Sequence, residues 1–299
     1  MNIKVWIEAF RLRTLPLALS SIAMGSFLAA GQQAFRWEVF VLSVTTTLFL
    51  QILSNLANDY GDSVHGADSA ERSGPSRAVQ AGKITPQAMK TAMGVFVLLS
   101  LVSGISLLLI AVGIEKMKII LLFFLLGIVS IWAAVKYTAG KNPYGYAGLG
   151  DISVMVFFGF VGVLGTMYLH TGGLSAMHLL PAASCGLFAT AVLNVNNIRD
   201  IESDEKAGKR SIPVRIGRSN AVFYHWTLLG VGIACGVAYV FLNYTSSYQW
   251  LFLVTLPLLW RNASAVRQFK QPAQLDPFLK QMALTTLLFV LTFGLGQML

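Results

Sequence analysis

The chain has 299 residues, of which 55% are hydrophobic and 12% charged, and it carries a net charge of +9 at neutral pH. A mean hydropathy of +0.65 excludes an ordinary soluble domain and points to a polytopic helical membrane protein. The basic excess is distributed as a membrane-topology signal and calls for no nucleic-acid partner.

Nine apolar runs of membrane length follow in chain order, near 14–30, 38–58, 88–112, 117–136, 151–169, 179–198, 220–242, 248–266 and 278–298. They predict an all-α integral membrane protein of nine transmembrane helices, one polytopic domain spanning 1–299. The runs are continuously apolar rather than alternating, which argues against a β-barrel. The first run follows Arg11 and Arg13 and lacks a small-residue cleavage site, so it reads as a retained helix. With the N-terminus in the cytoplasm, 19 of the 22 Lys and Arg lie inside, leaving Arg36, Lys116 and Lys118 outside. That asymmetry sets the orientation, and nine spans put the C-terminus outside. Cys185 and Cys235 fall in predicted helices without CxxC spacing and read as buried reduced thiols.

Two predicted cytoplasmic loops, 59–87 and 199–219, are longer and more polar than the rest, and function concentrates there. A weak parallel repeat links them. The second run ends in Asn58…Asp62 and the sixth in Asn196…Asp200…Asp204, with the two copies 138 residues apart. In NNIRDIESDEKAGKR, the i, i+4, i+8 spacing lines one helical stripe. In NLANDYGDSVHGAD, Asn58 and Asp62 repeat the first step, and Asn55 and Asp59 form a second pair rotated around the helix. Asp68 lies six residues past Asp62, beyond Gly66. Two carboxylate clusters at one membrane depth repel unless divalent cations sit between them, and Asp and Asn oxygens suit Mg²⁺.

A second set of charges surrounds the acids: Arg72, Arg77, Arg199, Lys206, Lys209 and Arg210. Each serves equally well as a positive-inside signal. Taken with a metal, they are what holds a diphosphate and stabilises its departure. An apolar cavity beneath would take a hydrocarbon tail, so an allylic diphosphate lipid fits as substrate. His65, His170, His178 and His225 lack metal-ligand spacing and read as structural or interfacial. Trp37, Trp250 and Trp260 read as interface anchors.

The segment KYTAGKNPYGYAGLGDISV (136–154) reads either as a Gly- and Pro-punctuated turn or as a wall of the site. In the second reading its tyrosines pack an aromatic acceptor and Asp151 acts as a base or charge stabiliser.

The stretches RLRTLPLA, NLANDYGDSVHGAD, YTAGKNPYGYAGLGD and NNIRDIESDEKAGKR resemble the UbiA superfamily of intramembrane aromatic prenyltransferases, most closely its menaquinone branch. The family's two Asp-rich motifs map onto Asn58 and Asp62, and onto Asn196, Asp200 and Asp204. The first motif departs from the pattern in placing Asp68 six residues on, which puts its direct ligand role in question and leaves Asp59 as another candidate. The resemblance implies helices around a central cavity, with an Asp-lined cytoplasmic cap and a lateral opening to membrane lipid. It implies transfer from a polyprenyl diphosphate to 1,4-dihydroxy-2-naphthoate, releasing diphosphate and CO₂ and giving demethylmenaquinol, in the bacterial cytoplasmic membrane. Asp62, Asp68, Asp200 and Asp204 would hold Mg²⁺, two ions being expected, with Asn58 and Asn196 completing the shell. Arg72, Arg77 and Lys209 would neutralise the leaving group. Tyr137, Tyr144 and Tyr146 would offer π faces to cation or ring, and Asp151 would assist deprotonation of a ring hydroxyl. Two rivals are another superfamily member with a different aromatic acceptor, and a cation-coupled transporter. A transporter is expected to place its acids near the bilayer midplane on broken or inverted-repeat helices.

Overall fold

The computed structural model describes residues 3–64 and 77–299. Among the described residues, every regular element is helical. A short α1 (Ile3–Phe10) leads into α2 (Leu15–Gly31), α3 (Trp37–Val64), α4 (Pro86–Val112) and α5 (Met117–Lys136). Next come α6 (Gly150–Val154), a π-helical stretch over Met155–Leu164 and α7 (Gly165–Thr171), which together make one long rod. The chain closes with α8 (Leu179–Arg199), α9 (Ile201–Lys206), α10 (Ile212–Leu242), α11 (Leu256–Gln268) and α12 (Pro272–Met298). Punctuation follows helix-end chemistry. The Thr85 hydroxyl caps α4 by accepting from the Ala88 amide, with Pro86 at the first position, and Gly172 ends α7 at φ 74°.

Eight of these helical stretches are long and apolar enough to cross a membrane, so the chain is a multi-pass membrane protein. The ninth expected span, 248–266, takes a different form. It runs as a 3₁₀ helix over Ser247–Thr255 and then as α11, which carries Arg261, Asn262 and Arg267. Those polar residues interrupt the apolar run. The segment is nevertheless bonded to α10 near both of its ends. At one end Gln249 donates to the carbonyl of Asn243 and to Gln297. At the other, Arg218 near the start of α10 caps the carbonyls of Val266 and Phe269 at the end of α11.

The largest core cluster joins α2, the π stretch, α7, α8, α10, α12 and the 3₁₀ segment through Met24, Val163, Met167, Phe188, Leu228, Phe252, Phe289 and Phe293. A second cluster ties α1, α3, α4 and the 78–84 turn together through Leu53, Leu56 and Met89. By contrast α5 turns one face outward, with Leu121, Leu125 and Trp132 exposed, as lipid contact requires.

Between the two clusters lies a cavity of about 750 Å³, walled by α2, α3, α4, α5 and the α6–α7 rod. One end is bordered by Gln51, Ser54, Asn58 and Tyr137, the other by Leu107, Leu108, Ile119 and Leu174. Its α3 wall from Ser43 to Asn58 runs about 22 Å at the helical rise per residue. That is most of a bilayer's hydrocarbon thickness.

Candidate active site

Beyond the polar end of the cavity lies a cap assembled where α3, α8 and α9 end and where the loops 137–149 and 207–211 meet; of the two acidic motifs, only Asn58 lines the cavity itself. Asp62 is buried in the last turns of α3. Its Oδ2 accepts from Arg77 Nη2 at 2.5 Å, and its Oδ1 accepts from the Tyr146 hydroxyl at 3.0 Å. The Tyr146 carbonyl accepts from the Arg210 amide at 2.8 Å. One tyrosine thus ties the first acidic stretch to the loop that follows the second.

Gly61 makes that meeting possible. A Cβ there would come within 2.5 Å of the Thr138 carbonyl, so only glycine lets α3 lie flat against the loop after α5. Across the contact, the Thr138 hydroxyl approaches Asn58 Oδ1 at 3.0 Å and the Ala57 carbonyl at 3.1 Å. Gly148, at φ 78°, plays the same part on the far side of the loop, where a Cβ would strike the Arg210 carbonyl.

On the second motif, Arg199 Nε and Nη2 clamp both oxygens of Asp200 at 2.7 Å, and Nη2 reaches Asn196 Oδ1 at 2.9 Å. Asp204 Oδ1 accepts from Lys209 Nζ at 3.2 Å. Asp204 Oδ2 is buried with no hydrogen-bond partner among the described residues, and so is Asn197 Oδ1. Burial raises the Asp204 pKa above the usual carboxylate range; the Lys209 charge opposes that shift and the charges of Asp200 and Asp62 add to it. The two acidic stretches are therefore close enough to feel each other.

The tyrosines separate by position. Tyr137 and Tyr144 line the cavity and meet edge to face at 5.4 Å. Burial, then the charges of Asp151, Asp204 and Asp62 among others, pushes the Tyr137 phenol pKa up, which keeps it neutral. The Tyr144 hydroxyl is held by the Ala133 carbonyl at 2.9 Å and by Ser153 at 3.0 Å. Tyr146 lies outside the cavity lining, on Asp62.

Two candidates stand apart. Both Asp59 oxygens are taken by backbone amides, from Ala78 at 3.0 Å and Val79 at 3.1 Å, so Asp59 pins the turn that carries Arg77. Asp151 Oδ2 accepts from the Tyr224 hydroxyl of α10 at 2.9 Å, and Asp151 does not line the cavity. Asp68, Arg72 and His65 lie outside the described residues. The other histidines are engaged in structure: His170 with Ser26 and the Arg36 amide, His178 with Gln32 and the Ser175 amide, His225 with Asn262.

Asp276 escaped the sequence reading. It sits near the start of α12, and its Oδ1 accepts from Arg199 Nη1 at 2.6 Å. The signal was the one that singled out Asp62, an acid at the polar end of an apolar helix, but Asp276 has no partner at Asn-xxx-Asp spacing.

The sequence matches the UbiA prenyltransferase family over residues 18–292. The chain belongs to that family. It is 46% identical to 1,4-dihydroxy-2-naphthoate octaprenyltransferase of Haemophilus influenzae, over 99% of this chain and 96% of the relative. With the protein of the same name from Escherichia coli it shares 45% identity, over 98% and 96%. In fold it is similar to a UbiA homolog from Archaeoglobus fulgidus bound to GPP and Mg²⁺, with a TM-score of 0.68 at 17% identity over 98% of this chain and 99% of that one. The apo UbiA homolog from Aeropyrum pernix K1 gives a TM-score of 0.68 at 15% identity, over 99% and 98%.

The donor set of this family member suits a hard divalent cation, since carboxylate and amide oxygens dominate it. The buried, unpaired oxygens of Asp204 and Asn197 are what such an ion would satisfy. Among the described residues no three acid, His or Cys side chains close around one point. Basic groups stand on the acids instead, Arg77 on Asp62, Arg199 on Asp200 and Lys209 on Asp204.

Proposed function

We propose that this protein transfers a polyprenyl group from polyprenyl diphosphate to 1,4-dihydroxy-2-naphthoate, giving demethylmenaquinol, diphosphate and CO₂. The reaction class is carried by one observation: an apolar cavity ends at Asn58 and Tyr137, and the loop after Tyr137 bonds both Asn58, through Thr138, and Asp62 of the acid- and base-rich cap, through Tyr146. The acceptor is supported by the relatives that share this name at 46% and 45% identity over nearly the whole chain.

Asp62, Asp200 and Asp204, with Asn58 and Asn196, would hold Mg²⁺, and Asp68 and Arg72 belong to the same proposal by sequence alone. When bound, two Mg²⁺ would supply positive charge to the diphosphate oxygens as the carbon–oxygen bond breaks. Arg77 and Lys209, already beside these acids, add charge-assisted hydrogen bonds to the departing group. The C–O electron pair leaves with diphosphate, and the cavity wall keeps water from the allylic cation. Tyr137 and Tyr144 present neutral aromatic faces to that cation. The naphthoate carbon bearing the carboxylate forms the new C–C bond. Loss of CO₂ then returns its electron pair to the ring. Asp151 acts at a distance from the cavity, holding the Tyr224 hydroxyl of α10.

We further propose nine crossings, counting the interrupted 247–268 segment, which is supported by its antiparallel course along α10. The acid-lined end faces the cytoplasm of a bacterial inner membrane and the C-terminus lies outside, as the basic asymmetry requires. An acceptor panel with one short prenyl diphosphate tests the reaction. A prenylated product lacking the carboxylate is expected with 1,4-dihydroxy-2-naphthoate; a product retaining it overturns the decarboxylating mechanism.

A further inference from the structure

Arg199 lies where three acceptor side chains converge. Nε and Nη2 cover both Asp200 oxygens, Nη2 also reaches Asn196, and Nη1 points the other way to Asp276, 77 residues along the chain. The Arg199 side chain is 3% exposed, and that of Asp276 is 37% exposed. A guanidinium cannot shed its proton, so a buried one has to keep an acidic partner. The same planar fork that reads Asp200 with two nitrogens leaves a third for Asp276.

That division has a consequence for any cation that takes Asp200. The oxygens it needs are those Arg199 already holds, so Arg199 and the ion compete for Asn196 and Asp200. Asp276 is the acid that remains to Arg199 once Asp200 is engaged elsewhere. It also draws the guanidinium toward α12 in the metal-free fold.

We propose that Asp276 is a positioning residue for the divalent-cation site. By holding Nη1 of Arg199, it weakens the grip of that arginine on Asp200 and Asn196 and leaves their oxygens available to metal. This rests on the metal role assigned to Asp200. Because Asp276 acts through Arg199, the two residues must be energetically coupled.

The test is the Mg²⁺ concentration that gives half of the metal-induced rise in Tm, measured on the purified full-length protein in detergent. Removing a partner that orients a metal ligand typically costs 10–100-fold in metal affinity. Asp276→Asn is expected to raise the Mg²⁺ midpoint about 10-fold, at the lower end of that range, and Asp276→Glu to recover part of the shift. In an Arg199→Gln background, Asp276→Asn is expected to move the midpoint no further. If Arg199→Gln does not fold, Arg199→Lys serves, because an ammonium cannot span the fork. A parent-like midpoint for Asp276→Asn, or an equal shift with and without Arg199, overturns the inference. A parent protein that gains no stability from Mg²⁺ overturns the metal reading together with it.

Discussion

The Tyr146 hydroxyl donates to Asp62 at 3.0 Å while its own carbonyl accepts from Arg210 at 2.8 Å. Two halves of the acid-lined cap, 138 residues apart at their Asn-xxx-Asp motifs, are thereby joined through a loop that belongs to neither. Tyr146 is thus an orienting group for Asp62, not a wall of the cavity. Replacing it with phenylalanine removes the donor and keeps the ring. We predict a loss of roughly 10–100-fold in Mg²⁺ affinity, read as a shift of the Mg²⁺ titration of turnover. An unshifted titration would place the tyrosine outside the metal-binding machinery.

Asp59 is predicted to act on stability rather than on metal. Its two oxygens serve the amides of Ala78 and Val79, and Asp59→Ala strands both. Leaving buried donors unpaired costs about 1–3 kcal/mol each, so Tm measured without Mg²⁺ should fall. Unchanged Tm combined with a lost response to Mg²⁺ would instead make Asp59 a ligand.

Gly61→Ala tests the close approach of α3 to the 137–149 loop. The added methyl meets the Thr138 carbonyl at 2.5 Å, and such overpacking typically costs about 1–3 kcal/mol. Tm should drop, and turnover should fall with it because Asn58 and Thr138 separate. A fully stable, fully active Gly61→Ala would mean the loop yields without consequence.

Much of this arrangement was legible in the sequence, and the reason is periodicity. Asn196, Asp200 and Asp204 at four-residue steps and Asn58 with Asp62 repeating the step marked the two acidic stretches, although the expected single helical stripe is broken at Asp200, where α8 ends and α9 begins. Eight spans follow from continuous apolar runs of bilayer length. The 248–266 run was readable as a segment but not as a 3₁₀ helix leading into a short polar α-helix, because hydropathy averages over Arg261 and Asn262. Composition also could not divide Tyr137, Tyr144 and Tyr146 into two cavity walls and one carboxylate partner; backbone geometry in the loop sets that. Asp151 read as a base or charge stabiliser at the site wall, yet its 2.9 Å bond to Tyr224 depends on α10 packing beside it. Asp276 lacked a partner at Asn-xxx-Asp spacing to single it out, since its meeting with Arg199 is purely tertiary.

The raised pKa of Asp204 predicts how metal binding depends on pH. Burial is the main cause, so in the metal-free fold this carboxyl still holds its proton at pH values where an ordinary aspartate has lost it. Mg²⁺ requires the ionised form, and binding releases that proton. Affinity should therefore rise with pH through the raised pKa and level off above it. For the metal-free protein the sign is opposite: this group's contribution favours the fold more as pH falls from its raised pKa toward the unfolded value of about 3.9. Mg²⁺ midpoints from thermal shifts across pH check both signs, and a flat affinity profile contradicts the assignment.

The central claim is that acids from both motifs serve one prenyl-transfer site, and diphosphate release tests it most directly. Parent protein, Asp62→Ala and Asp200→Ala are each incubated with labelled farnesyl diphosphate, 1,4-dihydroxy-2-naphthoate and saturating Mg²⁺. The account predicts Mg²⁺-dependent release by the parent and a loss of about 10²–10³-fold in kcat for either variant, the scale of removing one preorganised charge stabiliser. Near-normal turnover in either variant would contradict it.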